Sequence, residues 1–482
     1  MKTMKKISSE INKYIGEYKL EWFFTITIMI VMMLIYTYVD KISITIWSTN
    51  ALDCIANGNL WHYFEYTSKN LHNVAHADIG GTAMSLIPIV IWDIPIWIAQ
   101  YFFGVSIKES VGCMLWAELF NVAVLILFII YVYRICMILW NDSKRASLVI
   151  LLSASSVFMH LGISYSGQTD IMWITLGVIA VYHYLKGNMK YFFLFANLSI
   201  MIKPYFFIVC VALLLLKEKD LFKVIGQIVS CLIGFLAISG FLRLMPGYSE
   251  GLSRNSVQKM MFRGYLEQAF ETPYGTGSIM VLCFILFYTV CYIIKERDER
   301  KFQTDAIYLI ALVNVLWLVF AYENFYRIIM ILPWIYILFL NEHALKELNL
   351  FLSLMLEGIW MIVAVCTGGA MFDSYRGMSP SILKVTEVKD PAMLEKGTIY
   401  LWIMRFFEGR GGYDTMMKIV YALWIGIIIF VFVTCAPRIS SYMASQREQK
   451  ERNLLIRILI YTHIFLVIPF VLFSCLCATG KI

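Results

Sequence analysis

With 60% hydrophobic and 15% charged residues over 482 positions, and a mean hydropathy of +0.72, this chain lacks the charged surface that a soluble protein of its length needs. The net charge of +7 does not point to nucleic acid, because Lys and Arg gather in short clusters such as 217–223 and 295–301, with no basic stripe interleaved with aromatics. Eleven cysteines, mostly inside apolar runs and without CxxC or Cys/His spacing, argue against both a disulfide framework and a zinc site.

In chain order, residues 1–20 carry Lys2, Lys5, Lys6 and Lys13 and read as a cytoplasmic N-terminus ahead of a retained first span. Apolar runs long enough to cross a bilayer follow near 21–39, 86–105, 111–139, 146–163, 171–185, 191–216, 224–242, 277–294, 305–321, 326–340, 349–367, 416–436 and 454–475. The expected fold is therefore all-α, a polytopic helical membrane protein of about 12–14 spans. The chain divides into a transmembrane catalytic module, 21–340, with an outer loop 40–85, and C-terminal spans, 341–482, with an outer loop 368–415. The basic stretches 141–145, 186–190, 217–223, 295–301 and 437–452 belong on the cytoplasmic side. Only the run 191–216 separates two of them. Lys203-Pro204 at its middle predicts a broken hairpin, because proline cannot continue a helix without losing a hydrogen bond. The run 86–105 contains Pro88, Asp93 and Pro95, and the parity of spans between 86 and 145 stays open.

Under this alternation the candidate chemistry lies on the outer side. Asp40 follows the first span and is either an interfacial carboxylate or a general base at the edge of the lipid. Beyond it Ile44, Trp47, Ala51, Leu52 and Ile55 recur at helical spacing, which predicts an amphipathic helix lying on the surface and stopped by Gly58. Asp53, in the same helix, joins Trp47 as a candidate substrate contact, and Asp78 lies further on, before Gly80-Gly81. His72 and His76, four apart, would share a divalent metal if helical, although surface histidine pairs are common and no third ligand is evident. The turn Gly167-Gln168-Thr169-Asp170 offers Gln168 and Asp170 to a substrate, or caps the span beginning at Ile171. Lys203, halfway along an apolar run, either snorkels or meets an anion. Tyr326-Arg327 opens a late span, and a guanidinium there can grip a phosphate through two hydrogen bonds.

A carboxylate after the first span, Asp40, with an amphipathic first outer loop over 47–63 and a proline-bearing second apolar segment, resembles the multi-spanning C-type glycosyltransferases that use polyprenyl-phosphate sugars. Gly167–Asp170, Lys203-Pro204 and the 324–327 turn look like the Gly-Gln-x-Asp, Lys-Pro and aromatic-Arg motifs of bacterial members, such as membrane mannosyltransferases, and the likeness covers roughly residues 20–340. Asp40 is followed by Lys41, so the paired acidic motif is lacking, as is a His-Pro-Pro run near 76–81. The resemblance implies an inverting hexosyltransferase of the plasma membrane that transfers a sugar from a polyprenyl-phosphate donor to a glycan or lipid-linked acceptor on the extracytoplasmic side. Asp40 would be the base, Lys203 and Arg327 would hold the donor phosphate, and Trp47, Asp53, Asp78, Gln168, Asp170 and Tyr326 would contact substrate. No resident cofactor is implied, and no Gly-rich nucleotide loop is found. Partners would be these substrates and membrane lipids, with no nucleic acid.

Two alternatives stay open. A polysaccharide polymerase or ligase would use the 368–415 loop, with Asp373, Arg376, Arg405 and Arg410. A lipid-linked glycan flippase or transporter would use the intramembrane charges Asp93, Glu118 and Lys203, although no internal repeat is seen.

Overall fold

The computed structural model describes residues 17–36, 41–70, 83–107, 109–165, 167, 169–249, 268–273, 275–295, 298–320, 325–341, 346–368, 403, 405–408, 412–437 and 453–478. They are mostly helical. The first helices are α1 (Lys19–Ile35), α2 (Lys41–Ala56) and, after a 3-10 turn at Leu60–His62, α3 (Tyr63–Lys69). There follow α4 (Ala83–Trp92), α5 (Ile94–Phe103), α6 (Val111–Trp140) and α7 (Ser143–Ser155), then a short turn Val157–Met159 that runs into a π-helical turn His160–Tyr165. The middle of the chain holds α8 (Asp170–Leu185), α9 (Met189–Ile202), α10 (Phe206–Lys217) and α11 (Leu221–Arg243). A hairpin of β1 (Ala269–Thr272) and β2 (Gly275–Ser278) precedes α12 (Ile279–Ile293) and α13 (Glu299–Phe320). The 3-10 segment Phe325–Ile331, α14 (Trp334–Asn341), α15 (Lys346–Gly368), α16 (Gly412–Cys435) and α17 (Asn453–Ala478) complete the chain.

Among the described residues, α6, α11, α13, α15 and α16 are long and apolar enough to cross a membrane. Two bent pairs, α4 with α5 at 59° and α7 with the 157–165 turns at 56°, raise the number to seven. The other expected runs appear as shorter apolar helices or as irregular segments, and breaks at 203–205 and at Leu332-Pro333 divide two of them, 191–216 and 326–340. Five apolar side chains along α11, Phe222, Ile225, Val229, Ile233 and Leu236, are exposed together, as a lipid-facing surface requires. Polar starts mark several helices. Ser110, Asp142, Asp220 and Ser278 each accept a backbone N–H at the N-cap of α6, α7, α11 and α12.

The described residues are mostly helical, as expected, and add one short antiparallel hairpin, where Phe270 and Thr272 favour extended backbone and Pro273 and Gly275 turn it. One expectation needs correction. Helix α2 ends short of Gly58, which has φ +64°, as expected, yet it does not simply float on a surface. Its polar residues Thr45, Ser48, Thr49 and Asn50 are buried along with Ile44, Trp47 and Ala51, because α3, α4, α5 and α6 all pack on it. One hydrophobic cluster runs from Tyr18 to Val471, across the 340/341 boundary, beside a smaller one of Ile96, Ile107, Cys113, Met114 and Ala117, and Arg457 of α17 pairs with the buried Glu21 of α1 at 3.3 Å.

The break at Lys203 turns the chain back. Asn197 on α9 bonds Ser230 O at 2.8 Å and Gly234 N at 3.0 Å, while Cys210 on α10 lies against Cys231. Both legs thus meet the same level of α11, as the legs of a hairpin do and a continuous helix would not. Helices α6, α8, α10 and α13 each carry a basic stretch at one end, at or beside residues 141–145, 186–190, 217–223 and 295–301. Glu118, Asp170 and Lys203, and the 3-10 segment that follows α13, lie at the opposite ends of these helices.

Candidate functional site

Three chain breaks build the site. Helix α8 starts at Asp170, α9 ends just before Lys203, and the 3-10 segment opens with Phe325-Tyr326-Arg327. A break frees backbone and side chains from the helical register, so charged groups from distant segments can turn toward one another. Asp170 Oδ1 accepts a hydrogen bond from Lys203 Nζ, and Arg327 Nε stands 3.8 Å from Asp170 Oδ2. The Trp173 indole N–H, one turn along α8, donates to Asp170 Oδ1 at 2.8 Å. The cap position of α8 is Thr169, with no side-chain capping bond, and the Asp170 carboxylate is directed at the cations. Its place in the first helical turn suits a negative charge.

Aromatic rings wall the cluster. The Arg327 guanidinium lies 4.9 Å from the Tyr205 ring centroid, and Tyr205 touches both Trp173 and Trp317 at 5.6 Å. Asp170 is buried, and the side chains of Lys203 and Arg327 are each 11% exposed. Such charges can be retained in an apolar surrounding only because they are paired.

A second polar cluster adjoins the first through Gly167. The Lys41 ammonium pairs with Glu118 at 3.3 Å, both buried, and the Asn121 amide donates to Gly167 O at 3.1 Å. Gly167 has φ +60°, and a Cβ there would stand 3.3 Å from Lys41 Cβ and 3.6 Å from Glu118 Oε2. This close approach and the left-handed backbone both select glycine. Asp93, at the bend between α4 and α5, is buried beside Ser48 and within Coulombic reach of Lys41.

Of the residues singled out in the sequence, Lys203, Arg327 and Asp170 are brought together, with Tyr326 buried next to them in the chain. Asp40, Asp78 and Gln168 lie outside the described residues, as do His72 and His76. Lys41 is the chain neighbour of Asp40, and it lies against the turn that leads into Asp170. Asp53 sits elsewhere, tying α2 to α3 and α5: it accepts from the Trp97 indole at 2.7 Å and from the Tyr66 hydroxyl at 3.3 Å. Burial and the Asp53 charge push the Tyr66 phenol above its ordinary pKa. Trp47 is buried, and its carbonyl accepts from Tyr63 at 3.1 Å. Among the described residues no group of three or more His, Cys, Asp and Glu side chains is arranged to hold a metal ion.

Sequence reasoning passed over Trp173, Tyr205, Lys41 and Asn121. Aromatic residues and single polar residues are too common in this chain for any of these to stand out. Lys41 carried one signal, a charge directly at the end of an apolar run. No family model, curated protein or solved structure matches the chain.

Proposed function

We propose that the chain is an inverting membrane glycosyltransferase that takes a sugar from a polyprenyl-phosphate donor on the extracytoplasmic side of the plasma membrane. The observation that carries this reading is the meeting of Lys203 and Arg327 at one carboxylate, Asp170. The ammonium of Lys203 and the guanidinium of Arg327 converge on one small region, where the oxygens of a phosphodiester could accept charge-assisted hydrogen bonds from both. The aromatic wall of Trp173, Tyr205 and Trp317 suits the boundary between headgroup and isoprenyl chain. Basic stretches at the opposite helix ends support a cytoplasmic N-terminus and an outward-facing site. In this reading the short apolar helices supplement the longer ones to make about 12–14 spans.

The reaction is a single displacement. An acceptor hydroxyl of a glycan or lipid-linked sugar attacks the anomeric carbon as its proton passes to Asp40. The bond from that carbon to the phosphate oxygen breaks, and its electron pair leaves with polyprenyl phosphate. The leaving group gains negative charge, which Lys203 and Arg327 offset. The protein in lipid nanodiscs, incubated with a panel of radiolabelled polyprenyl-phosphate hexoses and pentoses and envelope extract as acceptor, should release polyprenyl phosphate. Asp40→Asn should abolish that release with expression intact. Full activity in Asp40→Asn removes the base, and an inert wild type across the panel removes the reading.

Flipping of a lipid-linked glycan is the second reading, favoured by buried polar groups along α7, α15 and α17 and by the bent helix pairs. It predicts movement of the labelled lipid between leaflets without its consumption.

A further inference from the structure

A third buried network joins the C-terminal helices to the end of α7 and involves none of the residues of the first two. Glu357, on α15, is fully buried. Its carboxylate accepts from Ser156 Oγ–H at 2.8 Å, from Val157 N–H at 2.8 Å and from the Tyr336 hydroxyl. His463 Nε2, on α17, stands 3.4 Å from Glu357 Oε2, and His463 Nδ1 lies 3.3 Å from Ser155 Oγ.

The donors reveal what the carboxylate does. At Ser156 the helix breaks and the chain turns by 56°. A break inside an apolar region strands backbone N–H groups, which cannot remain unpaired there. Glu357 receives the Val157 N–H and the Ser156 hydroxyl, the groups that the break exposes. The redirected segment then runs against the 3-10 segment that carries Arg327. A Cβ on Gly162 would stand 2.9 Å from Ile329 Cβ and 3.2 Å from Tyr326 O, and the Tyr165 and Phe325 rings lie 5.9 Å apart. One turn along α15, the Trp360 indole donates to Phe325 O at 2.9 Å. Two residues on one face of α15 therefore hold both irregular segments, the one that leads to Asp170 and the one that contains Arg327.

We propose that Glu357 is a positioning residue for the Asp170–Lys203–Arg327 site. By satisfying the break at Ser156 it sets the course of residues 157–170, and with Trp360 it registers Asp170 against Arg327. This deepens the proposed function and rests on it only where a lipid phosphate is the readout. It also gives the C-terminal helices a role in the site, beyond supplying further spans.

The test uses the full chain in lipid nanodiscs, with Glu357→Gln, which keeps the shape and one neutral acceptor, and Glu357→Met, which keeps neither. Amide hydrogen exchange over 157–170 and 325–331 should rise at least about tenfold in Glu357→Met, less in Glu357→Gln, with α10 and α12 unchanged. Unchanged exchange in both segments overturns the proposal, and so does an equal rise throughout the bundle. If Glu357→Met does not fold, Glu357→Gln alone decides by the same criteria. Affinity for polyprenyl phosphate should fall about tenfold in Glu357→Met and fall no further when the change is added to Arg327→Gln, the non-additivity of groups acting through one another. Independent, additive losses overturn it. A wild type that binds no polyprenyl phosphate sinks the functional reading, and the exchange measurement still decides the role of Glu357.

Discussion

Asp170→Asn tests most directly how the site is held. The substitution preserves volume and one acceptor for the Trp173 indole, but it leaves Lys203 and Arg327 facing each other without the carboxylate between them. At the surface such a loss costs under about 1 kcal/mol, because water and salt screen the pair. Here the carboxylate is 1% exposed and the cations 11%. Removing one partner of a buried pair costs about 3–5 kcal/mol, and Asp170→Asn takes a partner from two cations at once, which places it toward the upper end. Adding Lys203→Met removes one of those two charges, and the double variant should recover more than half of the loss. The assay is equilibrium unfolding in mixed micelles, followed by tryptophan fluorescence. Polyprenyl phosphate supplies a second arm: at about 100 times its Kd a ligand adds about 2.7 kcal/mol to the native state. Asp170→Asn removes a carboxylate that competes with the lipid phosphate for both cations, so the lipid should bind the variant more tightly than the wild type. A variant within about 1 kcal/mol of wild type, or one that the lipid stabilises less than wild type, would refute this electrostatic account.

Lys41→Met alone should destabilise by about 3 kcal/mol because it strands Glu118, while Lys41→Met with Glu118→Leu should stay within about 1–2 kcal/mol of wild type, as read by the same unfolding curves. Gly162→Ala forces Ile329 aside from a 2.9 Å approach and should cost about 1–3 kcal/mol, with a loss of lipid-phosphate affinity that Gly358→Ala, in open space, does not share. Arg327→Lys keeps the charge but gives up the planar stacking on Tyr205, and titration with polyprenyl phosphate should show roughly tenfold weaker binding. Asp53→Ala should loosen the packing of α2 on α3 and α5 by freeing Tyr66 and the Trp97 indole, and amide hydrogen exchange in α3 and α5 should rise.

The legible parts of the fold follow from one constraint, that charge and broken backbone are costly in an apolar setting. Lys203 stands out because a lysine at the middle of an apolar run must find an anion, and Pro204 marks the turn that lets it do so. Arg327 and Asp170 flank short turns, so their side relative to Lys203 follows from alternation. That Asp170 itself is the anion does not follow, since hydropathy gives levels along a helix and not which faces meet. The same limit hides Glu357 and His463. Each lies alone in an apolar run and qualifies under the rule that marks Lys203, but the partner that explains both is a helix break at Ser155-Ser156, with no proline or glycine to announce it. The burial of the polar side of α2 was equally hidden, because a run of Ser, Thr and Asn reads as wet until four helices are seen around it.

The clasp between α1 and α17 has a consequence for biogenesis. Arg457 donates to Glu17 O, and Tyr461 to Glu21, across 440 residues in each case. During synthesis α1 is therefore made long before α17, and Glu21 does not meet the cation that pairs with it in the folded chain until α17 has been translated.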